Sequence, residues 1–273
     1  MVEKVLDIQG IKKSFVQRFQ TGRRLQAVGY RNVLDGLDLT LESGAVTALI
    51  GGNGAGKTTL FNIVSGLLRA DEGKVVFNSR KKRLECTSAH PWVIAGAGLG
   101  RLFQGAKIFS GCTVKEHILL HTAQRAQEWP FSNLWNGKKI REIREHQWSL
   151  ILDKLGKYDG FKEILAQPGR VADSLSFAQQ RLIVMAALIA GEYELLMLDE
   201  LSSGMSPELF PVFREIFNTL QNEGRSLFLI EHNMAFVKDV ANMSYYVEEG
   251  RIKYAGPPGE VLARDEVKRS YLL

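Results

Sequence analysis

The fifteen residues Ala45-Val-Thr-Ala-Leu-Ile-Gly-Gly-Asn-Gly-Ala-Gly-Lys-Thr-Thr59 constrain this chain more than any other stretch. Val46 to Ile50 is a short apolar run with β-branched residues, so it reads as a buried strand. Gly51, Gly56, Lys57 and Thr58 then fit the pattern G-x-x-x-x-G-K-[ST] without a gap. Beyond Thr59, Leu60, Phe61, Ile63 and Val64 recur at helical spacing until Gly66 ends the run. The physical reason for such a loop is anion capture. Glycines let successive backbone N–H groups turn inward, and the helix directs its positive end at the same point. In this pattern the loop Gly51, Gly52, Asn53, Gly54, Ala55, Gly56, Lys57, Thr58 and Thr59 wraps a nucleotide's phosphates. Lys57 reaches the β- and γ-phosphates, and the Thr58 hydroxyl ligates Mg²⁺.

The rest of the chain supplies a core large enough to carry that loop. Its 273 residues suffice for one large domain or a core with a subdomain. No apolar run approaches the ~18–20 residues that cross a bilayer, and the first residues show no secretory pattern. A cytosolic location is therefore expected. Cys86 and Cys112 are the two cysteines, read as reduced thiols. The net charge of +5 permits contact with nucleic acid or an anionic membrane, but a solvated basic surface is the default reading. The run Arg80-Lys-Lys-Arg83 reads as a hairpin tip in water as readily as a binding patch.

In chain order, Val5 to Ile11 looks like an edge strand ending near Phe15, with a polar, basic insertion after it from Gln17 to Asn32. Leu37, Leu39 and Leu41 alternate onto one face of a second strand. Residues 73–78 read as a strand, and 79–100 as irregular. Thr113 to about Gly156 is helical, with Val114, Ile118 and His121 on one stripe and Trp148, Ile151, Leu152 and Leu155 on another. A loop rich in aromatic residues, Trp129 to Gly137, interrupts it. Strand and helix then alternate through Leu175–Ala190, Glu194–Asp199, Pro207–Glu223, Ser226–Glu231 and Met234–Asn242. A hairpin turning at Glu249-Gly250 and two short helices, from Gly259 and Asp265, finish the chain. His117 and His121 have a spacing that can hold a metal, but no third ligand is visible beside them.

The second chemical signal is Leu195-Leu-Met-Leu-Asp-Glu200. Four apolar residues and then two acids place carboxylates at the C-terminal end of a core strand, where α/β sheets bind ligands. Asp199 would hold Mg²⁺, and Glu200 would polarise the water that attacks the γ-phosphate.

Gly51–Thr59, Gln104, Leu175–Arg181, Asp199-Glu200 and His232 occur in the order seen in ATP-binding-cassette (ABC) ATPases. The chain resembles that family over essentially its whole length. More narrowly, it resembles the ATP-binding subunits of branched-chain amino acid and urea/amide importers. That resemblance rests on Gly100-Arg-Leu-Phe-Gln104, the insert near 125–147, Leu-Ser-Phe-Ala-Gln-Gln-Arg181, Ile230-Glu-His-Asn-Met234, Gly256-Pro-Pro-Gly-Glu-Val-Leu262 and Tyr271-Leu272.

The resemblance implies an α/β P-loop NTPase fold: a RecA-like core, an antiparallel β subdomain and an inserted helical subdomain. It implies one cassette over 1–273, with 1–104 and 190–273 as core and 105–189 as the helical part. Gln104 resembles the glutamine that touches Mg²⁺, and His232 the histidine that contacts the γ-phosphate. Phe15 resembles the aromatic that stacks on adenine, with Phe19 or Tyr30 as substitutes and packing in the β layer as the plain alternative. Ser176 resembles the start of the signature helix, which meets the ATP of a second cassette, and Ser203–Pro207 the loop at that interface.

Three departures stand out. Phe177 and Ala178 replace two glycines, Leu201 replaces a proline after the acids, and Gly52 replaces a proline in the loop. Alanine at 178 is tolerated in a right-handed helical backbone, and weakens the signature if positive φ is needed.

The implied cofactors are ATP and Mg²⁺. The implied partners are membrane permease subunits, a second ABC ATPase subunit and, indirectly, a solute-binding protein; nucleic acid is not expected. The expected place is the cytoplasmic face of the membrane, and the expected activity is ATP hydrolysis that powers uptake of a small polar solute. The alternatives are a soluble ABC-type ATPase acting on nucleic acid or ribosomes, and a weakly hydrolysing regulatory cassette.

Overall fold

The computed structural model describes residues 3–21, 24–105, 108–122 and 137–271, with the side chains of 17–28 and 137–140 left aside. The chain divides into two compact units. The first takes Met1–Arg101, Glu194–Ser203 and Leu220–Leu273; the second takes Leu102–Tyr193 and Gly204–Thr219.

The first unit carries two sheets. Strands β1 (Lys4–Thr21), β2 (Arg24–Glu42), β4 (Glu72–Asn78) and β5 (Arg83–Glu85) form an antiparallel sheet in the order β2-β1-β4-β5. β1 therefore lies inside the sheet rather than at its edge. The expected insertion is paired backbone: the β1–β2 ladder continues past Phe15↔Arg31 to Thr21↔Arg24. Its polar residues hid it, because the sequence from Gln17 shows no sustained apolar alternation that would mark a strand. Leu37, Leu39 and Leu41 are buried as the alternation requires, and Leu34 is buried too, beyond a register shift in the β1–β2 ladder.

The second sheet has the order β10-β9-β3-β8-β7-β6. It contains β3 (Val46–Ile50), β6 (Leu99–Leu102), β7 (Leu195–Asp199), β8 (Ser226–Ile230), β9 (Met243–Glu248) and β10 (Arg251–Gly256). β3, β7 and β8 are parallel and buried at every position, which is why they read as unbroken apolar runs. Helix α1 (Lys57–Val64) lays Phe61 against Phe228 at 4.7 Å between ring centroids. Burial of each such ring contributes roughly 1.5–3 kcal/mol. Helix α2 (Pro91–Gly96) lies in the stretch expected to be irregular; its three-residue apolar core, Trp-Val-Ile, is too short to show a period.

The second unit is helical: α3 (Val114–Leu120), α4 (Gly137–Leu155), α5 (Lys162–Leu165), α6 (Phe177–Ala190) and the start of α7 (Phe210–Asn222). α3, α4 and α5 pack on α6, which is buried from Arg181 to Ala190. The α3 stripe is Val114, His117 and Ile118; the helix ends at Leu120, and His121, its C-cap, is exposed. On α4, Trp148, Ile151 and Leu155 are buried. Residues 204–219, counted with the core from sequence, cluster here; a Cβ on Gly160 would lie 2.6 Å from Val212 Cγ1. Most of the Trp129–Gly137 loop lies outside the described residues. The first unit closes with α8 (Met234–Val240), α9 (Pro258–Leu262) and α10 (Asp265–Tyr271).

Candidate functional site

Strand register builds the site. Leu49 pairs with Ile230, and Ile230 with Asp199, so β3, β8 and β7 end in one row. The phosphate loop, the acidic pair and His232 leave the sheet along that same C-terminal edge, where open α/β sheets bind ligands.

Two glycines of the loop are demanded by space. A Cβ on Gly51 would lie 2.3 Å from Val247 O, and one on Gly56 would lie 2.6 Å from Leu34 Cδ2. Gly56 also takes φ 101°, in the left-handed region. Gly52 has open space at its Cβ, so the missing proline there is not forced by crowding. Gly56 begins α1 without a side-chain cap, which leaves the first N–H groups of the helix turned to the loop.

Lys57 folds back, and its ammonium donates to Gly51 O at 2.7 Å and Gly52 O at 2.9 Å. Burial lowers its pKa, while Glu200 and Asp199 act the other way. Thr58, one residue into α1, is exposed, and Thr59 half-buried.

Asp199 is 3% exposed. Its Oδ2 lies 3.5 Å from the Arg101 guanidinium, which also donates to Asn62 Oδ1 at 2.9 Å and Ser65 Oγ at 2.7 Å. Its Oδ1 is buried with no hydrogen-bond partner among the described residues. Burial raises the carboxyl's pKa, and Arg101 opposes that rise. A buried anionic oxygen left open beside a phosphate loop suits a hard divalent cation.

Glu200 comes next, with φ 52°, a left-handed backbone uncommon for glutamate. Its N–H donates to Ile230 O at 2.9 Å, and its Oε1 lies 3.3 Å from His232 Nε2. Burial lowers the His232 pKa; Lys57 adds to that and Glu200 opposes it. The first unit thus brings together Lys57, Asp199, Glu200 and His232.

Phe15 is 40% exposed and pairs across the strands with Arg31, with Lys13 Nζ 5.7 Å from its ring centre. Tyr30 pairs with Val16, so it shares the opposite face; the Phe19 side chain lies outside the described part of the molecule. Gln104 is exposed at the turn after β6 in the second unit. Ser176, also in the second unit, caps α6 by a closed box. Its Oγ accepts from Gln179 N–H at 3.3 Å, and its own N–H donates to Gln179 Oε1 at 3.2 Å. Ala178 is in the first turn of α6 and has no positive φ, so the condition under which alanine weakens the signature is not met. Phe177 packs at Gly204, where a Cβ would lie 3.2 Å from the ring.

Three residues at the site were missed from sequence. Arg101 reads as an ordinary strand charge, and Glu231 as a strand-end acid. Tyr271, 220 residues from Gly51, accepts that residue's N–H through its hydroxyl at 2.5 Å and stands edge-on to His232 at 6.5 Å. The available signals were the charge inside the apolar stretch Leu99–Leu102 and the recurring Tyr271-Leu272 pattern.

The fold and this edge define a phosphate-loop nucleotide hydrolase. Residues 34–203 match the family model described as ABC transporter. The chain is 31% identical over 242 residues to the lipopolysaccharide export system ATP-binding protein LptB of Haemophilus influenzae, covering 89% of this chain and 91% of that one. It is 30% identical over 240 residues to the high-affinity branched-chain amino acid transport ATP-binding protein LivG of Escherichia coli K12, covering 88% and 91%. Among solved structures, the ADP conformation of MJ1267, an ATP-binding cassette of an ABC transporter, superposes with a TM-score of 0.77 at 27% identity over 99% of both chains. The chain belongs to the ABC transporter family. Within it, this is an ATP-hydrolysing, LivG-like ATP-binding subunit, and the α/β P-loop fold expected from sequence is met.

Proposed function

We propose that the chain hydrolyses MgATP at the edge formed by Lys57, Asp199, Glu200 and His232. The convergence of these four along one edge of the sheet carries the reading. Lys57 leaves its two carbonyls and neutralises phosphate charge; the N–H groups of the loop and of the α1 start hold the phosphate oxygens. Asp199, through its open Oδ1, together with Thr58 and Gln104, would hold Mg²⁺. Bound there, the ion would supply charge neutralisation at the phosphates. Glu200 accepts the proton of the attacking water, and His232 fixes Glu200 from 3.3 Å and contacts the γ-phosphate. Phe15 stacks on adenine.

In this reading Ser176 serves the ATP of a second cassette, a copy or a related chain, in a head-to-tail pair. The pair works on membrane permeases at the cytoplasmic face; no described helix is long and apolar enough to cross a membrane. The driven process is uptake of a small polar solute of branched-chain amino acid or urea/amide type, and the LivG name, branched-chain amino acid transport, favours the first of these. The second reading is lipopolysaccharide export, favoured by the similarity to LptB.

Affinity purification of the chain from detergent-solubilised membranes, with mass spectrometry of the co-purifying proteins, tests both. Multi-span permeases with a solute-binding protein support uptake, and permeases with envelope lipid-transfer partners support export. Ribosomes or nucleic acid alone would contradict both.

A further inference from the structure

Glu231 is 1% exposed, one residue before His232, and among the described residues no lysine or arginine pairs with it. A buried carboxylate without a cation is costly and needs a structural reason. Each of its oxygens accepts a hydrogen bond from Ser202. Oε1 accepts the Ser202 backbone N–H at 2.9 Å, and Oε2 accepts the Ser202 hydroxyl. Ser202 lies two residues beyond Glu200, whose φ of 52° persists only where the surroundings over-determine it. Residue 201 is a fully buried leucine, so no proline ring stiffens this turn. The turn is instead pinned to the end of β8 at both sides of Leu201: Glu200 N–H on Ile230 O, and Ser202 on Glu231.

We propose that Glu231 is a positioning residue for hydrolysis: by clamping Ser202 it sets Glu200 against His232. With both carboxylate oxygens bonded to Ser202, it acts through the turn. Burial pushes its carboxyl up to about 7, with Ser202 and the His232 N–H acting against that rise and Glu200 adding to it. The inference rests on Glu200 being the base, so its test separates the two.

The experiment is a double-mutant cycle in the full-length protein, measuring single-turnover MgATP hydrolysis and MgATP affinity for wild type, Glu231→Ala, Glu200→Gln and the double variant. Glu231→Ala is expected to slow hydrolysis about 10- to 100-fold, the scale of losing two hydrogen bonds to a charged group, with affinity changed less than about two-fold. In the Glu200→Gln background the same change is expected to have almost no further effect, because it acts through the missing carboxylate. Glu231→Gln keeps one acceptor and should give an intermediate rate. Equal slowing in both backgrounds, affinity lost in step with rate, or no slowing at all would overturn the proposal. Should Glu231→Ala not fold, Ser202→Ala, which keeps the backbone bond, takes its place in the cycle. If Glu200→Gln hydrolyses like wild type, the assignment of the base fails instead.

Discussion

Two helices of this molecule begin in opposite ways. α1 starts at Gly56, left-handed and with no side-chain cap; α6 starts at Ser176 inside a closed capping box with Gln179. An uncapped end leaves N–H groups for a ligand, whereas a boxed end satisfies its own donors. The phosphate loop is therefore unfinished without an anion, while α6 is complete by itself. In the proposed function, what remains to Ser176 for a second cassette's phosphate is its hydroxyl proton and the helix dipole.

The largest way to break that contrast is to fill the space at Gly56. Gly56→Ala puts a Cβ 2.8 Å from Val33 O in a left-handed backbone. It should cost about 1–3 kcal/mol in strain alone and remove ATP binding, read by denaturant unfolding and calorimetry. An alanine that binds ATP like wild type would mean that the loop's shape is not what selects the nucleotide.

Next is a group that spoils the second unit's self-sufficiency. His117 is buried with neither ring nitrogen bonded among the described residues, and burial, with His121 adding, pushes its pKa down to about 4. The folded pKa lies below the unfolded value of 6.5. The unfolded chain therefore takes the proton first, and stability is lost as pH falls from 6.5 towards 4. His117→Leu should flatten that part of a Tm-against-pH curve. Glu231 runs the other way: its folded value of about 7 exceeds the unfolded 4.5, so it costs stability as pH rises through that window.

The smallest effects sharpen the signature end. Ser176→Ala opens the box and should cost about 1 kcal/mol. Ala178→Gly should also cost about 1 kcal/mol, as a helical glycine does, with no gain in turnover. A clear gain in turnover would mean that position 178 is limiting for other reasons than its backbone.

Sequence distance decided how much of this was legible. The β3–loop–α1 unit and the end of β7 were readable because each is complete within about fifteen residues. His232 and Gln104 were reached by resemblance alone; nothing local distinguishes them. Arg101, Glu231 and Tyr271 act on residues 98, 29 and 220 positions away, so no window contains both partners. The arm of β1 and β2 escaped because it has no apolar alternation, and α2 because it is too short for a period. Ala178 could be weighed from sequence only as two cases, since the choice depended on a dihedral angle.

In the proposed function, Glu200 performs the hydrolytic step at a site that binds nucleotide without it. The direct measurement is MgATP binding and single-turnover hydrolysis by Glu200→Gln beside wild type. Unchanged affinity is expected, with hydrolysis slowed at least about 100-fold, in the range of general-base loss. Equal hydrolysis by the two proteins, or loss of binding together with activity, would contradict it.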